Sequence, residues 1–121
     1  MDPEVKEAIY RAVEREPLAR TLRMQLLDLD SGYSRVQMQY DPEAMANIYA
    51  RAHGGAIFSL IDEAFETASQ TAGSIAVALN VNVTYIRSPE ASVTLTAEAR
   101  EISRSRKIAN YDIRVKDDDN Q

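Results

Sequence analysis

The chain contains no cysteine. That excludes disulfides, thiolate nucleophiles and cysteine-ligated zinc, and it fits a cytoplasmic location. Histidine occurs once, at His53, so a histidine-based zinc site lacks its ligands. No run reaches about 18 apolar residues, and no membrane-spanning helix or membrane partner is expected. The first residues, Met1-Asp2-Pro3-Glu4, are acidic and lack the apolar region of a secretory signal. No G-x-x-x-x-G-K, G-x-G-x-x-G or G-x-S-x-G is present, which disfavours nucleotide loops and serine-hydrolase elbows. Basic charge is short as well. Fourteen Lys and Arg stand against 19 Asp and Glu, a net charge of −5. General nucleic-acid binding needs a net basic face and is not expected. The local cluster Arg100, Arg104, Arg106 and Lys107 still leaves room for an anionic ligand.

What remains is an ordinary composition, 45% hydrophobic and 27% charged over 121 residues. It predicts one domain over residues 1–121 around one modest core. Residues 3–14 read as a helix, with Asp2 as cap, Pro3 in the first turn, and Val5, Ala8, Ile9, Ala12 and Val13 on one face. Pro17 ends it. Residues 20–29 read as a strand whose alternation breaks at Leu27 and Leu29, which predicts a bulge. Asp30-Ser31-Gly32 is a turn, and Tyr33–Tyr40 alternates again, giving a hairpin. Asp41–Ala52, with Pro42, reads as a loop with a helical turn.

From Gly55 to Thr71 the period is helical, with Ala56, Ile57, Leu60, Ile61, Ala64, Phe65 and Ala68 in a broad apolar stripe. Gly73 can end this helix. Ile75, Val77, Leu79, Val81, Val83 and Tyr85 hold a strict period of two over Ser74–Arg87, the longest strand signal. Two more strands follow, through Val93–Ala99 and Ala109–Val115. Asp117–Gln121 reads as a turn. The connections between the later strands are too short for parallel crossovers. The fold class is therefore α+β, a mostly antiparallel sheet curled around the long helix at about 55–71.

The segment His53-Gly54-Gly55-Ala56-Ile57-Phe58-Ser59-Leu60-Ile61-Asp62 concentrates the chemistry. Two glycines at a helix start leave backbone N–H groups approachable, at the positive end of the helix dipole. A carboxylate two turns along an apolar helix is costly without a task or a partner. Asp62 lies seven residues beyond Gly55, about 10 Å along the axis. One small reacting group does not reach both. Two antiparallel copies of the helix would bring Asp62 of one chain near Gly55 of the other, so the spacing predicts a site shared in a homodimer. Phe58, Asp62, Phe65 and Ser69 form a second stripe. A carboxylate between aromatics is partly desolvated, which raises its pKa and makes it a better base.

Asn47, the His53-Gly54-Gly55 triplet six residues on, and Asp62 seven residues after Gly55 resemble the hotdog fold. Within it they resemble the phenylacetate-degradation (PaaI-like) acyl-CoA thioesterases. Phe58, Ala64 and Phe65, and the run Ala78–Pro89, extend the likeness over roughly residues 20–116. The resemblance implies hydrolysis of an acyl-CoA thioester by a homodimer or a dimer of dimers, with no metal and no redox cofactor. It implies that Gly54, Gly55 and Asn47 polarise the carbonyl, and that Asp62 acts as general base or nucleophile. His53, Phe58, Phe65, Asn80, Arg87, Arg104, Arg106 and Lys107 are the candidate substrate-binding residues.

Two features depart from that family. A hydroxyl that positions water is replaced by Ala78, with Asn80 or Ser69 as substitutes. The family also carries one more strand after the turn at Asp117–Gln121. Ala78 favours an alternative reading as a non-catalytic acyl-CoA-binding module. Simpler readings stand beside each residue: Asp62 as an ion-paired structural acid, His53 as a hydrogen-bonded residue before the helix, the glycines as packing contacts, Asn47 as a turn residue, the basic residues as a solvated face. Glu63 and Glu66 read as surface or interface residues.

Overall fold

The computed structural model describes residues 1–119. Its elements run α1 (Pro3–Arg15), α2 (Pro17–Thr21), β1 (Gln25–Asp30), β2 (Tyr33–Gln39), α3 (Pro42–Met45), α4 (Gly54–Ser69), β3 (Thr94–Arg104) and β4 (Ala109–Lys116). The strands form one antiparallel sheet in the order β1-β2-β3-β4. Helix α4 lies across it, an α+β arrangement of the kind expected.

The N-terminal helix follows its sequence signals. Asp2 accepts a hydrogen bond from the Glu4 N–H at 2.9 Å, and Pro3 opens the first turn. Pro17 ends α1 but also starts α2, because proline suits a first helical turn as well as it stops a preceding one. Residues 20–24 are thus the end of α2 and a turn through Arg23, at φ 55°. This corrects the strand expected over residues 20–29: β1 begins at Gln25. The broken alternation is a register shift between Leu26 and Asp28. The bulge lets both Leu26 and Leu29 face the core.

Helix α4 buries Ile57, Leu60, Ala64 and Ala68. Opposite them Val36 and Met38 of β2 and Leu95, Ala97 and Ala99 of β3 are buried. Alanines on both surfaces allow a close approach, and the Ser34 hydroxyl donates to the Ala64 carbonyl across it at 2.7 Å. Ile57 and Leu60 contribute about 1.5–3 kcal/mol each on burial. The helix that carries the motif is therefore anchored by its own opposite face.

The strand expected over Ser74–Arg87 does not form. The run is an irregular segment with Ile75 93% and Leu79 84% exposed. A strand exists through its neighbour's hydrogen bonds, and the sheet ends at β4. Residues 83–89 face the 114–117 end of β4 across a groove of about 480 Å³, floored by Ile57, Ile61 and Leu95. No ladder spans it, so among the described residues two strands follow α4 instead of three. The turn expected at Asp117–Gln121 is present at 118–119, and its last two residues lie outside the described residues. No described helix is long and apolar enough to cross a membrane.

Candidate active site

The start of α4 is built by a short-range cap. His53 sits at the cap position with extended backbone (φ −66°, ψ 132°), and its Nδ1 accepts a hydrogen bond from the Gly55 N–H at 2.8 Å. A Cβ on Gly55 would lie 3.0 Å from that nitrogen, so a larger residue at 55 would make the capping His53 ring shift by a few tenths of an ångström. The Ala56 and Ile57 N–H groups bond back to the His53 carbonyl at 3.0 and 3.2 Å. Of the first four amides of the helix, only the Gly54 N–H has no partner among the described residues. The Tyr85 hydroxyl donates to the Gly54 carbonyl at 3.2 Å, and its ring would lie 3.6 Å from a Cβ on Gly54. Sequence reasoning placed Tyr85 only in an alternating run and missed this contact.

Asn47 shapes the loop before the helix. Its Oδ1 accepts from the Tyr49 and Arg51 N–H groups at 2.9 and 3.1 Å. The carbonyl end is spent on the turn, and only the Nδ2 end can point a donor outward. The loop is tied to residues 88–90. The Ala52 N–H donates to the Pro89 carbonyl at 2.9 Å, the Ser88 hydroxyl to the Ala52 carbonyl at 3.1 Å, and Arg51 pairs with Glu90. Arg87 lines the groove beside Ile57 and Ile61, at the same end of α4.

Asp62 is exposed on the face of α4 turned from the sheet. Desolvation by its surroundings, and after it the Glu16 carboxylate, push its pKa upward. Phe58 is half-buried. Phe65 packs edge-on against Tyr111, with ring centroids 5.8 Å apart, so it belongs to helix–sheet packing. Ser69 is buried, and its hydroxyl donates to the Glu66 carbonyl at 3.2 Å. Asn80 is exposed on the irregular segment, its Oδ1 3.4 Å from Asn82 Nδ2. Glu63 corrects the sequence reading: it is 3% exposed, a buried residue on the side of α4 that meets the α1–α2 corner.

The basic turn lies at the other end of the molecule. Arg104 pairs with Glu101 at 2.7 Å, and Arg106 and Lys107 are exposed between β3 and β4. Glu101 N–H donates to the Gly32 carbonyl, and Gly32 N–H to Thr71, just past the C-terminal end of α4. Within one protomer Arg104, Arg106 and Lys107 are therefore remote from Gly54.

This arrangement has relatives. A thioesterase-superfamily profile matches residues 49–121. A protein of Archaeoglobus fulgidus is 35% identical over 97% of this chain and 73% of its own length. The acyl-coenzyme A thioesterase PaaI of Escherichia coli is 32% identical over 84% of this chain and 72% of its own. The solved structure of the E. coli PaaI protein, from the phenylacetic acid degradation operon, superposes with a TM-score of 0.91 at 28% identity. It covers 98% of this chain and 86% of that one. The chain belongs to the thioesterase superfamily, in its PaaI-like hotdog branch, and is a thioester hydrolase by class.

Proposed function

We propose that the protein hydrolyses an acyl-CoA thioester to the free acid and CoA, at a site completed by a second copy of the chain. The observation that carries this reading is the start of α4. Its first N–H, at Gly54, is unspent, while His53 holds the next amide. Thioester hydrolysis builds negative charge on the carbonyl oxygen, and a preorganised amide at a helix start stabilises it. The Gly54 N–H is the oxyanion donor in this reading, with Asn47 Nδ2 assisting. Asp62 activates water as general base, or attacks the acyl carbon itself. Its raised pKa suits a base, since proton transfer is most effective when the pKa approaches the working pH.

Asp62 and Gly54 lie eight residues apart on one helix, about 12 Å along its axis. The thioester therefore meets Gly54 of one chain and Asp62 of its partner. The exposed row Ile75, Val77 and Leu79 supplies apolar surface for that association. The E. coli relative is an acyl-coenzyme A thioesterase, which supports acyl-CoA as the substrate class. A cytoplasmic setting goes with it. The test is release of free thiol from a panel of acyl-CoAs by the wild type, Asp62→Ala and Asp62→Asn. Both variants should lose about 10²- to 10⁴-fold in kcat, the usual worth of a positioned base. Unchanged turnover in both would remove Asp62 from the mechanism. A monomer by light scattering that remains active would overturn the shared site.

A further inference from the structure

Three carboxylates converge where the α1–α2 corner meets α4. Glu16 sits at the junction of the two N-terminal helices, and Glu63 and Glu66 are one turn apart on α4. One oxygen from each lies within 4.8 Å of the other two. None of the ion pairs among the described residues involves them. Glu63 is 97% buried by its 3% exposure, and its Oε2 has no hydrogen-bond partner. Glu16 Oε1 is buried without a partner as well. A buried carboxylate oxygen with no donor loses its hydration and gains nothing in return. Here the two residues that carry such oxygens occur together, and a third carboxylate closes the group.

We propose that Glu16, Glu63 and Glu66 form a divalent-cation site that ties the α1–α2 corner to α4. The donor set is oxygen only, with no imidazole or thiolate. It selects a hard ion of the Ca²⁺, Mg²⁺ or Mn²⁺ class over zinc or copper. Three carboxylates satisfy part of the coordination sphere. Glu66 is exposed, and the open side beside it admits water as the remaining ligands. Without a cation the cluster persists only with carboxyls neutralised. Burial first, then Glu16, pushes the Glu63 pKa well above the carboxylate range, and Glu66 moves the same way for the same reasons. A bound ion removes that need. The site is a structural tie that adds no chemical step to the hydrolysis; its test is ion binding, read apart from turnover, although Glu16 also acts on the Asp62 pKa.

The test uses the whole chain, stripped with chelator and returned to metal-free buffer. Mn²⁺ is titrated in and its free fraction followed by electron paramagnetic resonance. Melting is followed in parallel with Mn²⁺, Ca²⁺ or Mg²⁺. The wild type should bind Mn²⁺ at a single site and melt higher with the ion present. Glu66→Gln, at an exposed position, and Glu63→Gln should each weaken binding by at least about tenfold, because affinity at such sites follows the charge of the ligand set. Loss of binding in the folded Glu66→Gln variant supports the site even if Glu63→Gln fails to fold. No binding by the wild type up to millimolar ion, or equal binding by Glu66→Gln, would overturn the proposal.

Discussion

Gly54→Pro isolates the proposed oxyanion donor. Proline deletes one N–H and nothing else from the backbone's hydrogen bonding. At most helical positions the loss would break the ladder. At the first position the amide has no intrahelical acceptor, and proline is favoured there. The residue before a proline must be extended, and His53 already is, at ψ 132°. The space exists too: a Cβ at position 54 meets only the Tyr85 ring, at 3.6 Å. The fold should therefore accept Gly54→Pro, and the melting temperature should hold or rise. A proline that fits its site stabilises by about 0.4–1 kcal/mol, through the unfolded chain.

Activity should move the other way. Removing one oxyanion donor costs about 3 kcal/mol of barrier, on the order of 10²-fold in kcat. Thiol release from an acyl-CoA measures this directly, and circular dichroism on the same samples reports the fold. Gly54→Ala is the control. It keeps the N–H, adds a similar Cβ contact with Tyr85, and should stay within about tenfold of wild type. A folded Gly54→Pro with wild-type kcat would refute the donor assignment. Equal losses in Gly54→Pro and Gly54→Ala would point to blocked access instead of a missing donor.

Gly32 turns the β1–β2 hairpin at φ +64°, and a Cβ there would meet Glu101 Cβ at 2.9 Å. Gly32→Ala should therefore cost at least about 1–2 kcal/mol, from the left-handed backbone alone, and an unchanged thermal melt would contradict that turn. Leu79 is 84% exposed, so Leu79→Lys should leave the protomer folded while lowering both the mass by light scattering and the kcat. A dimeric Leu79→Lys with full activity would separate the exposed row from the association, and a fully active monomer would overturn the shared site.

The parts of this fold that were legible in the sequence are those decided by near neighbours in the chain. Asp2 and Pro3 fix the start of α1, and the apolar stripe of α4 needs only its own period. The slip at Leu27 showed as a broken alternation, because a bulge moves every later side chain across the sheet. Pro17 was ambiguous, since stopping one helix and starting another use the same ring. Ser74–Arg87 misled for a different reason. Its alternation records a readiness to pair, whereas pairing requires a neighbour, and β4 stands across a groove. In the site, the glycines, Asn47 and Asp62 were readable as a pattern. Which amide stays unspent was not, because that depends on the direction of the His53 ring. Tyr85 reaches Gly54 only through the tertiary fold.

Asp62 and Glu63 show why one helix can carry two unlike acids. Adjacent residues on a helix are turned about 100° from each other. That rotation puts Asp62 on the exposed face and Glu63 against the α1–α2 corner. An apolar residue at 63 would fill that corner without an unpartnered oxygen, and replacing buried ionic groups with apolar ones is often neutral or stabilising. A carboxylate there is therefore explained by something it binds better than by the core it occupies. Asp62 has the opposite setting. It faces outward on α4, one turn from Phe58, as the proposed shared site requires. The two acids share a helix and a rise in pKa, yet their surroundings differ: Glu63 is buried inside the protomer, where the proposed tie needs it, and Asp62 is exposed, where the proposed reaction between two protomers needs it.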